Sequence, residues 1–245
     1  MLDLATVTRL AGLLARHARA FKAGDAVTDP DAAATAADGE EFARSLESYS
    51  PTYIKFGQLL STREDLLPAG YTQALAKLQD SVDPIPSEDV RAAIEEALKA
   101  SVSTLFSSFD DTPLAAASLA QVHRAVTRNG RDVVVKVLRP GVREVVRADL
   151  ESLSQLASFV DERTPLGPRL GASRMLGQFK RSMEDELDYR KEAANLALFA
   201  RLAADEPALT IPGVLADYST DSVLTLDYVP GKKVTDVTPL GLLDV

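Results

Sequence analysis

A lysine inside a run of valines is the residue most suggestive of chemistry in this chain. Lys136 lies within residues 133–138 (Val-Val-Val-Lys-Val-Leu), a β-branched segment typical of a buried strand. An unpaired buried ammonium is costly, so this side chain must reach either solvent at a strand edge or an anion such as a carboxylate or phosphate. The alternative, a lysine on the solvent face of an alternating strand, stays open from these residues alone.

A turn of mostly small side chains precedes this lysine, between two predicted strands. Small side chains let the backbone approach a ligand and point N–H groups at phosphate, as glycine-rich loops do. Alanine does this less freely than glycine because its Cβ disfavours positive φ. A plain tight connection is the alternative. The residues of the turn are Ala115, Ala116, Ala117, Ser118, Leu119, Ala120 and Gln121.

An acidic cluster follows on a predicted helix. Asp188 and Glu192 are four residues apart, so they share a helix face and form a negative patch that calls for cations opposite it. Glu186 lies about 120° round a regular helix from Glu192. The alternative is a solvated acidic helix with Arg190 and Lys191 as local partners.

The elements that must position these side chains form a helical part followed by a mixed part. Helices are predicted over 2–23, from Ser50-Pro51, over 71–79 and over 87–99, with residues 24–39 as a linker. Beyond residue 100, strands are predicted over 109–116, 119–127, 133–138, 211–217 and 222–228, with an Asn-Gly hairpin turn at 128–131, a helix over 142–162 and one long helix over 171–203. This order predicts an α+β fold, a small antiparallel sheet with helices on one side.

Composition excludes several classes of function. The chain has no cysteine and only two histidines, His17 and His123, which rules out thiolate chemistry and disfavours a histidine metal site. The net charge of -9 argues against a nucleic-acid partner. No run approaches the roughly 18 apolar residues needed to span a bilayer, and no secretory signal is apparent. A cytoplasmic location fits. The basic amphipathic helix at 2–23 would either pack on its own domain or lie peripherally on an anionic membrane.

Five motifs in order resemble the UbiB/AarF (ABC-one, ADCK-type) atypical kinases. They are Lys55-x-Gly57-Gln58, the alanine-rich turn with Ser118 to His123, the Val-Val-Lys-Val strand, Glu-Leu-Asp-Tyr-x-x-Glu-Ala-x-Asn at 186–195, and Leu-Thr-Leu-Asp-Tyr-Val-Pro-Gly at 224–231. The resemblance runs from about residue 45 to about residue 236. It implies the N-lobe of a protein-kinase-like fold, with an N-terminal helical extension over the active site.

The resemblance also implies roles for the site residues. Lys136 would bind the phosphates of ATP or ADP, and Glu192 would hold Lys136. Residues 115–121 would form the phosphate loop. The hinge that contacts adenine would be Asp227, Tyr228 and Val229.

A second set of roles concerns gating. Lys55, in one motif with Gly57 and Gln58, would pair with Glu186 and Asp188 and cover the place of a peptide substrate. A regular helix favours the Lys136–Glu192 pairing over this one, because Glu186 and Asp188 diverge on it.

The same resemblance sets expected domain boundaries and activity. We expect an amphipathic helix at 1–23, a linker at 24–39, the helical extension at 40–100, the kinase-like N-lobe at 101–232 and the start of a truncated C-lobe at 233–245. No His-x-Asp catalytic loop and no Asp-Phe-Gly sequence occurs in the chain, so ligands for Mg²⁺ are expected only in the missing lobe. This polypeptide alone is therefore not expected to be a competent enzyme.

The family is linked to ubiquinone biosynthesis and to lipid processes at membranes, so membrane lipid and quinone-biosynthesis proteins are candidate partners. A non-catalytic scaffold at a membrane is the alternative function. An unrelated helical protein with accidental motifs is a third.

Overall fold

The architecture is that of a small sheet attached to a helical extension. A computed structural model describes residues 4–18, 20, 32–78, 82–164 and 171–231. The helices are α1 (Leu4–Arg16), α2 (Ala32–Glu47), α3 (Pro51–Ser61), α4 (Ala69–Ala76), α5 (Ser87–Leu98), α6 (Val102–Leu105), α7 (Val142–Arg163), α8 (Ala172–Glu186) and α9 (Tyr189–Leu202). The strands are β1 (Phe106–Phe109), β2 (Ala115–Ala116), β3 (Ala120–Thr127), β4 (Asp132–Leu138) and β5 (Val223–Asp227).

The sheet is antiparallel and places β4 at its centre. The strand order is β1-β3-β4-β5, and β2 pairs with β3 beyond the end of β1. The predicted hairpin joins β3 to β4, and Gly130 takes φ +81° in its turn, a conformation that glycine adopts without strain. Lys136 pairs with Val122 on one side and Leu224 on the other. The lysine therefore sits on an interior strand.

Both faces of the sheet are covered by helices. Val133, Val135 and Val137 pack in one core with Val90 and Ile94 of α5. On the opposite face, Ala120, Leu138 and Leu224 belong to the core formed by the helical extension and α7–α9. The expectation of helices on one side only was wrong. Alternate residues of β4 present apolar side chains to both faces, and α5 covers the second one.

The helical extension begins earlier than expected. Residues 32–39, assigned to a linker, belong to α2, while residues 24–31 lie outside the described part of the chain. A Cβ on Gly39 would lie 2.5 Å from the carbonyl oxygen of Gly70 in α4. The small residues of this segment thus allow two helices to cross closely. Helix α1 ends at Arg16 rather than near residue 23, and residues 233–245 are also outside the described range.

Three other elements differ from expectation. The single helix predicted over 171–203 is two helices, separated at Leu187 and Asp188. In place of a strand over 211–217 there is one bridge between Val214 and Leu226 followed by a 3₁₀ turn. The strand predicted over 109–116 is interrupted, since only Phe109 and the pair forming β2 keep strand pairing there. Within the described residues, no helix is long and apolar enough to cross a membrane.

Candidate functional site

The ion pair between Lys136 and Glu192 is the centre of the candidate site. Lys136 Nζ lies 2.7 Å from Glu192 Oε2, joining β4 to α9. The two side chains are 31% and 37% exposed, so the pair is open to a ligand. The Lys136 ammonium has three N–H donors, and the contact with Glu192 uses one of them. An ammonium in this position can therefore also donate to a phosphate oxygen. The geometry rejects the solvent-face interpretation of Lys136.

Tyr189 forms the floor beneath this lysine. The ammonium lies 4.8 Å from the centre of the Tyr189 ring, within the range of a cation–π contact. The ring is buried, and its hydroxyl has no hydrogen-bond partner among the described residues. Burial raises the pKa of Tyr189, and the charges of Glu192 and Glu186 raise it further. The phenol therefore stays neutral beside two carboxylates and supports the Lys136 cation without competing for it.

The break between α8 and α9 orients two carboxylates in different directions. Asp188 caps α9, accepting a hydrogen bond from the Arg190 backbone N–H at 3.1 Å and from Arg190 Nε at 2.8 Å. The hydrogen bond from the Arg190 side chain lowers the pKa of Asp188. Because two helices meet here, Glu186 and Glu192 are not bound to one helical register. Glu186 contacts Lys55 whereas Asp188 contacts Arg190, so the divergence of these two carboxylates that a regular helix predicts is found at the break as well.

Arg143 holds this break in place. Its Nη2 donates to the carbonyl oxygens of Leu187 at 2.9 Å and Asp221 at 2.8 Å, and its Nη1 lies 3.1 Å from Asp221 Oδ2. The Tyr189 backbone N–H also donates to the Asp221 carbonyl, at 3.1 Å. Helix α7 is in this way tied to the start of α9 and to the loop that enters β5.

The Lys-x-Gly-Gln motif on α3 contacts the other side of the break. Lys55 Nζ lies 3.4 Å from Glu186 Oε2. A Cβ on Gly57 would lie 2.5 Å from Leu78 Cδ1, and Gln58 Nε2 donates to the Leu78 carbonyl at 3.1 Å. The glycine and glutamine thus pack α3 against the end of α4, while the lysine points to α8.

The alanine-rich turn is a tight hairpin between β2 and β3. Ala115 pairs with Val122 and Ala116 with Gln121, and the Ala117 N–H donates to the Ala120 carbonyl at 2.8 Å. Ser118 is buried, and Leu119 and Ala120 belong to the core. Val122 pairs with Ala115 on one side and with Lys136 on the other, so these three residues form one row across the sheet. The turn lies at the end of β2 and β3, next to this row.

Arg139 and Gln121 fix this turn. Arg139 Nε donates to the Ala117 carbonyl at 2.9 Å and Nη2 to the Asp83 carbonyl at 2.8 Å. Gln121 is buried and accepts from the Ile85 N–H, and its amide contacts His123 Nε2 at 3.1 Å. The segment that precedes α5, with Asp83 and Ile85, is thereby held against the turn by hydrogen bonds.

The expected hinge leaves β5 at Asp227. The carboxylate of Asp227 accepts from Arg131 Nη2 at 2.7 Å and from the Gly213 N–H at 3.1 Å, and the Arg131 hydrogen bond lowers its pKa. The ring of Tyr228 lies 4.4 Å from the guanidinium carbon of Arg124. Val229 is 42% exposed. The backbone N–H groups of Asp227 and Tyr228 donate to the carbonyl oxygens of Gly213 and Asp132, at 2.9 and 3.2 Å. Two of the three side chains and these two N–H groups are thus engaged in the lobe itself, and Val229 is the exposed member of the segment.

Three residues with a part in this arrangement were not singled out from the sequence. Tyr189 lies three residues before Glu192 on a helix, a spacing that places both on one face. Arg139 directly follows a buried strand, where a side chain can reach the adjoining turn. Arg143 gave no signal, because its partners are carbonyl oxygens 44 and 78 residues away in sequence.

Comparison with known proteins assigns this arrangement to a family. The ABC1 atypical kinase-like domain matches residues 77–241. The chain is 42% identical over 202 residues to a "Probable protein kinase UbiB" of Marinobacter nauticus and 41% identical over 203 residues to a protein of the same name in Cellvibrio japonicus. These matches cover 82% and 83% of this chain and 37% of each relative.

A solved structure gives the same result. The chain is 34% identical to Rv3197 of Mycobacterium tuberculosis, whose structure was solved in complex with erythromycin. The TM-score is 0.57, and the match covers 76% of this chain and 46% of that one. The family model covers most of the chain, and both the curated relatives and the solved structure agree with it. The chain therefore belongs to the ABC1 (UbiB/AarF) family of atypical kinases.

Proposed function

We propose that this chain forms the adenine-nucleotide-binding lobe of a UbiB-like atypical kinase or ATPase. The observation that supports this most is the contact of 2.7 Å between Lys136 and Glu192 on β4 and α9. In protein kinases the equivalent pair positions the nucleotide phosphates. A lysine held at an open position beside a fixed carboxylate is suited to that role.

Each side of the proposed site has its own task. Lys136 binds phosphate oxygens, and Glu192 holds the ammonium in position. The hairpin at residues 115–121 brings its backbone over the phosphates, held from behind by Arg139. The chain leaving β5 at Asp227, Tyr228 and Val229 contacts adenine. ATP or ADP would enter with Mg²⁺, which bridges and neutralises phosphate oxygens.

The helical extension supports a gating role for the Lys-x-Gly-Gln motif. Lys55 ties α3 to Glu186, which lies six residues before Glu192 in the sequence. Movement of α3 would therefore act on the start of α9, and so on the position of the Lys136–Glu192 pair. We assign Lys55, Gly57, Gln58, Glu186 and Asp188 to this gate.

The activity of the longer relatives is a further part of the proposal. This chain spans 37% of the length of the curated relatives that it matches. We propose that residues 1–245 bind nucleotide but do not hydrolyse ATP faster than a Lys136→Ala variant, and that the whole protein acts in ubiquinone or isoprenoid-lipid metabolism. Hydrolysis above that variant with Mg²⁺ present would contradict the first part.

Nucleotide titration tests the proposed site. Isothermal titration with ADP and Mg²⁺ should give saturable binding that weakens at least about tenfold in Lys136→Ala, since a charge-assisted contact to phosphate contributes about 1.5–3 kcal/mol. Lys180→Ala removes an exposed lysine from α8 and is the matched control, which should bind as the unsubstituted chain does. Equal affinity in all three proteins would refute the assignment.

The scaffold alternative is less well supported. Leu10 and Leu13, on the apolar face of α1, are buried in the core of the chain, and His17 Nδ1 lies 2.7 Å from the Tyr71 hydroxyl of α4. This apolar face is therefore used within the molecule rather than offered to a bilayer. Peripheral membrane attachment through α1 would be supported instead if the chain bound anionic liposomes and a variant without residues 2–23 did not.

A further inference from the structure

A cavity of about 260 Å³ lies between the helices of the extension and the helices that follow the sheet. Its wall is formed by α1, α2, α3, α7 and α8, with Leu14, Phe42, Phe56, Leu156 and Met175 contributing one side chain each. Among the described residues of the wall, only Thr164 has a polar side-chain atom, and its hydroxyl donates to the Val160 carbonyl at 2.7 Å. Every other side chain that the structure describes in this wall is apolar.

Water is a poor occupant of such a space. A buried water needs two to four polar partners, and apolar cavities of comparable size stay dry and bind small apolar molecules. The side chains around an unfilled void also lose dispersion contacts on that side. A cavity of this size is unusual in a close-packed interior, where few voids exceed one water molecule. An apolar ligand would restore the missing contacts.

The cavity has an opening to solvent. Phe159 belongs to its wall and is 59% exposed, so one aromatic side chain reaches from the interior to the surface. Ala157, on the same turn of α7, is buried in the wall. A flexible chain could enter past Phe159 without disturbing the sheet or the Lys136–Glu192 pair.

We propose that this cavity is a binding site for a single uncharged apolar chain, alkyl or prenyl. At about 30 Å³ for each group the size of a water molecule, the volume accommodates about nine carbon atoms. The wall offers no charged or unpaired polar side chain among the described residues, so any polar headgroup stays at the mouth. The site is separate from the nucleotide site and does not depend on it.

Displacement of a neutral fluorescent probe tests this proposal on the full chain, which has no tryptophan to interfere. N-phenyl-1-naphthylamine, with its naphthyl ring in the cavity and its anilino group at the mouth, should bind saturably at one site per chain and be displaced by decan-1-ol, geraniol or both. Stronger displacement by decan-1-ol identifies an alkyl chain as the preferred ligand, and stronger displacement by geraniol a prenyl chain. The proposal would be overturned if the probe did not bind saturably, or if neither alcohol displaced it.

Variants that fill the cavity locate the site. Ala157→Phe places a ring into the space from α7 and should weaken probe binding at least about tenfold, and Ala11→Leu from α1 should weaken it also. Both should melt at or above the temperature of the unsubstituted chain, because they fill a void. Ala204→Phe adds the same ring at an exposed position and should leave binding unchanged. Unchanged binding in both filled variants would place the probe elsewhere and refute the site.

Discussion

At the scale of single residues, Gly57 shows why the Lys-x-Gly-Gln motif requires a glycine. A methyl group at this position would displace the end of the Leu78 side chain, since a Cβ would lie 2.5 Å from Leu78 Cδ1, 3.2 Å from Leu46 Cδ1 and 3.3 Å from Leu75 Cδ2. These side chains belong to α2 and to the end of α4. The glycine is therefore a packing residue that brings Lys55 to its place opposite Glu186.

The first prediction concerns this glycine. Gly57→Ala should lower the free energy of unfolding by about 1–3 kcal/mol, because the added methyl forces apart a packed core. Gly177→Ala in α8 is the matched control. It meets nothing within 4 Å and should stabilise the chain by about 0.5–1 kcal/mol through the helix preference of alanine. Urea unfolding followed by circular dichroism measures both, and equal effects would contradict the packing role.

The Lys136–Glu192 pair gives the second prediction. Both side chains are about one-third exposed, so the pair should contribute little to stability. We expect Lys136→Met to change the free energy of unfolding by less than about 1 kcal/mol while it removes nucleotide binding. A loss of several kcal/mol in urea unfolding would show that the lysine is a structural residue.

At the scale of elements, the start of α8 depends on a carboxylate from α7. Asp161 accepts hydrogen bonds from the backbone N–H groups of Ala172 and Ser173, both at 2.9 Å. Hydrogen bonds from Ser173 and Ala172, the Ser173 side chain first, lower the pKa of Asp161. Two free N–H groups of α8 are satisfied in this way, although no side chain next to the helix caps it.

The third prediction follows from this cap. Asp161→Ala should cost about 0.5–2 kcal/mol at pH 7, as loss of a cap does, with Glu162→Ala as the neutral control. Because the folded-state pKa of Asp161 is lowered, the stabilisation is complete above its unfolded value of about 3.9 and is lost as the pH falls through the folded value. The difference in the free energy of unfolding between the unsubstituted chain and Asp161→Ala, measured with urea, should therefore disappear only below about pH 4. A difference in the free energy of unfolding that does not shrink as the pH falls below about 4 would contradict this account.

Local signals in the sequence were enough for some elements. The Asn-Gly turn and the valine-rich strand with Lys136 are present as predicted, and α3 begins at Pro51 as the Ser-Pro pair predicts, although the Ser50 side chain makes no cap hydrogen bond. The break before Tyr189 has no proline or glycine to mark it. It is stabilised by Arg143 from a distant helix, and such tertiary contacts are invisible in a local pattern.

Composition misled the assignment of residues 32–39. A stretch of alanine and glycine without large apolar side chains indicates a linker when it stands alone. In the molecule the same small side chains let α2 approach α4 at Gly39 and Gly70. The candidate site was more predictable than these elements, because the lysine, the carboxylates and the turn each bear chemistry that a buried position must satisfy. The side of the sheet covered by α5 had no such marker.

At the scale of the whole molecule, the extension and the kinase-like lobe meet at Asp149 of α7. Its Oδ2 accepts from Ser50 Oγ and from Thr52 Oγ1, both at 2.6 Å. Thr52 is fully buried, so its hydroxyl depends on this carboxylate. The side chain of Ser50, the residue before the first turn of α3, thus joins two parts of the molecule.

The fourth prediction tests that joint. Asp149→Ala should lower the free energy of unfolding by about 2–3 kcal/mol, because it removes two charge-assisted hydrogen bonds and leaves a buried hydroxyl unsatisfied. Glu151→Ala, an exposed acidic residue of the same helix, should change it by less than about 0.5 kcal/mol. Thermal unfolding monitored by circular dichroism distinguishes them, and equal melting temperatures would refute the joint.

The central claim is that Glu192 serves nucleotide binding through Lys136, and a double-mutant cycle tests it most directly. Affinity for ADP with Mg²⁺ should fall at least about tenfold in Lys136→Met and several-fold in Glu192→Gln, while the double variant should bind no more weakly than Lys136→Met alone. Such non-additivity would show that the carboxylate acts by positioning the ammonium. Effects that add in full, or affinities that do not change at all, would contradict the account.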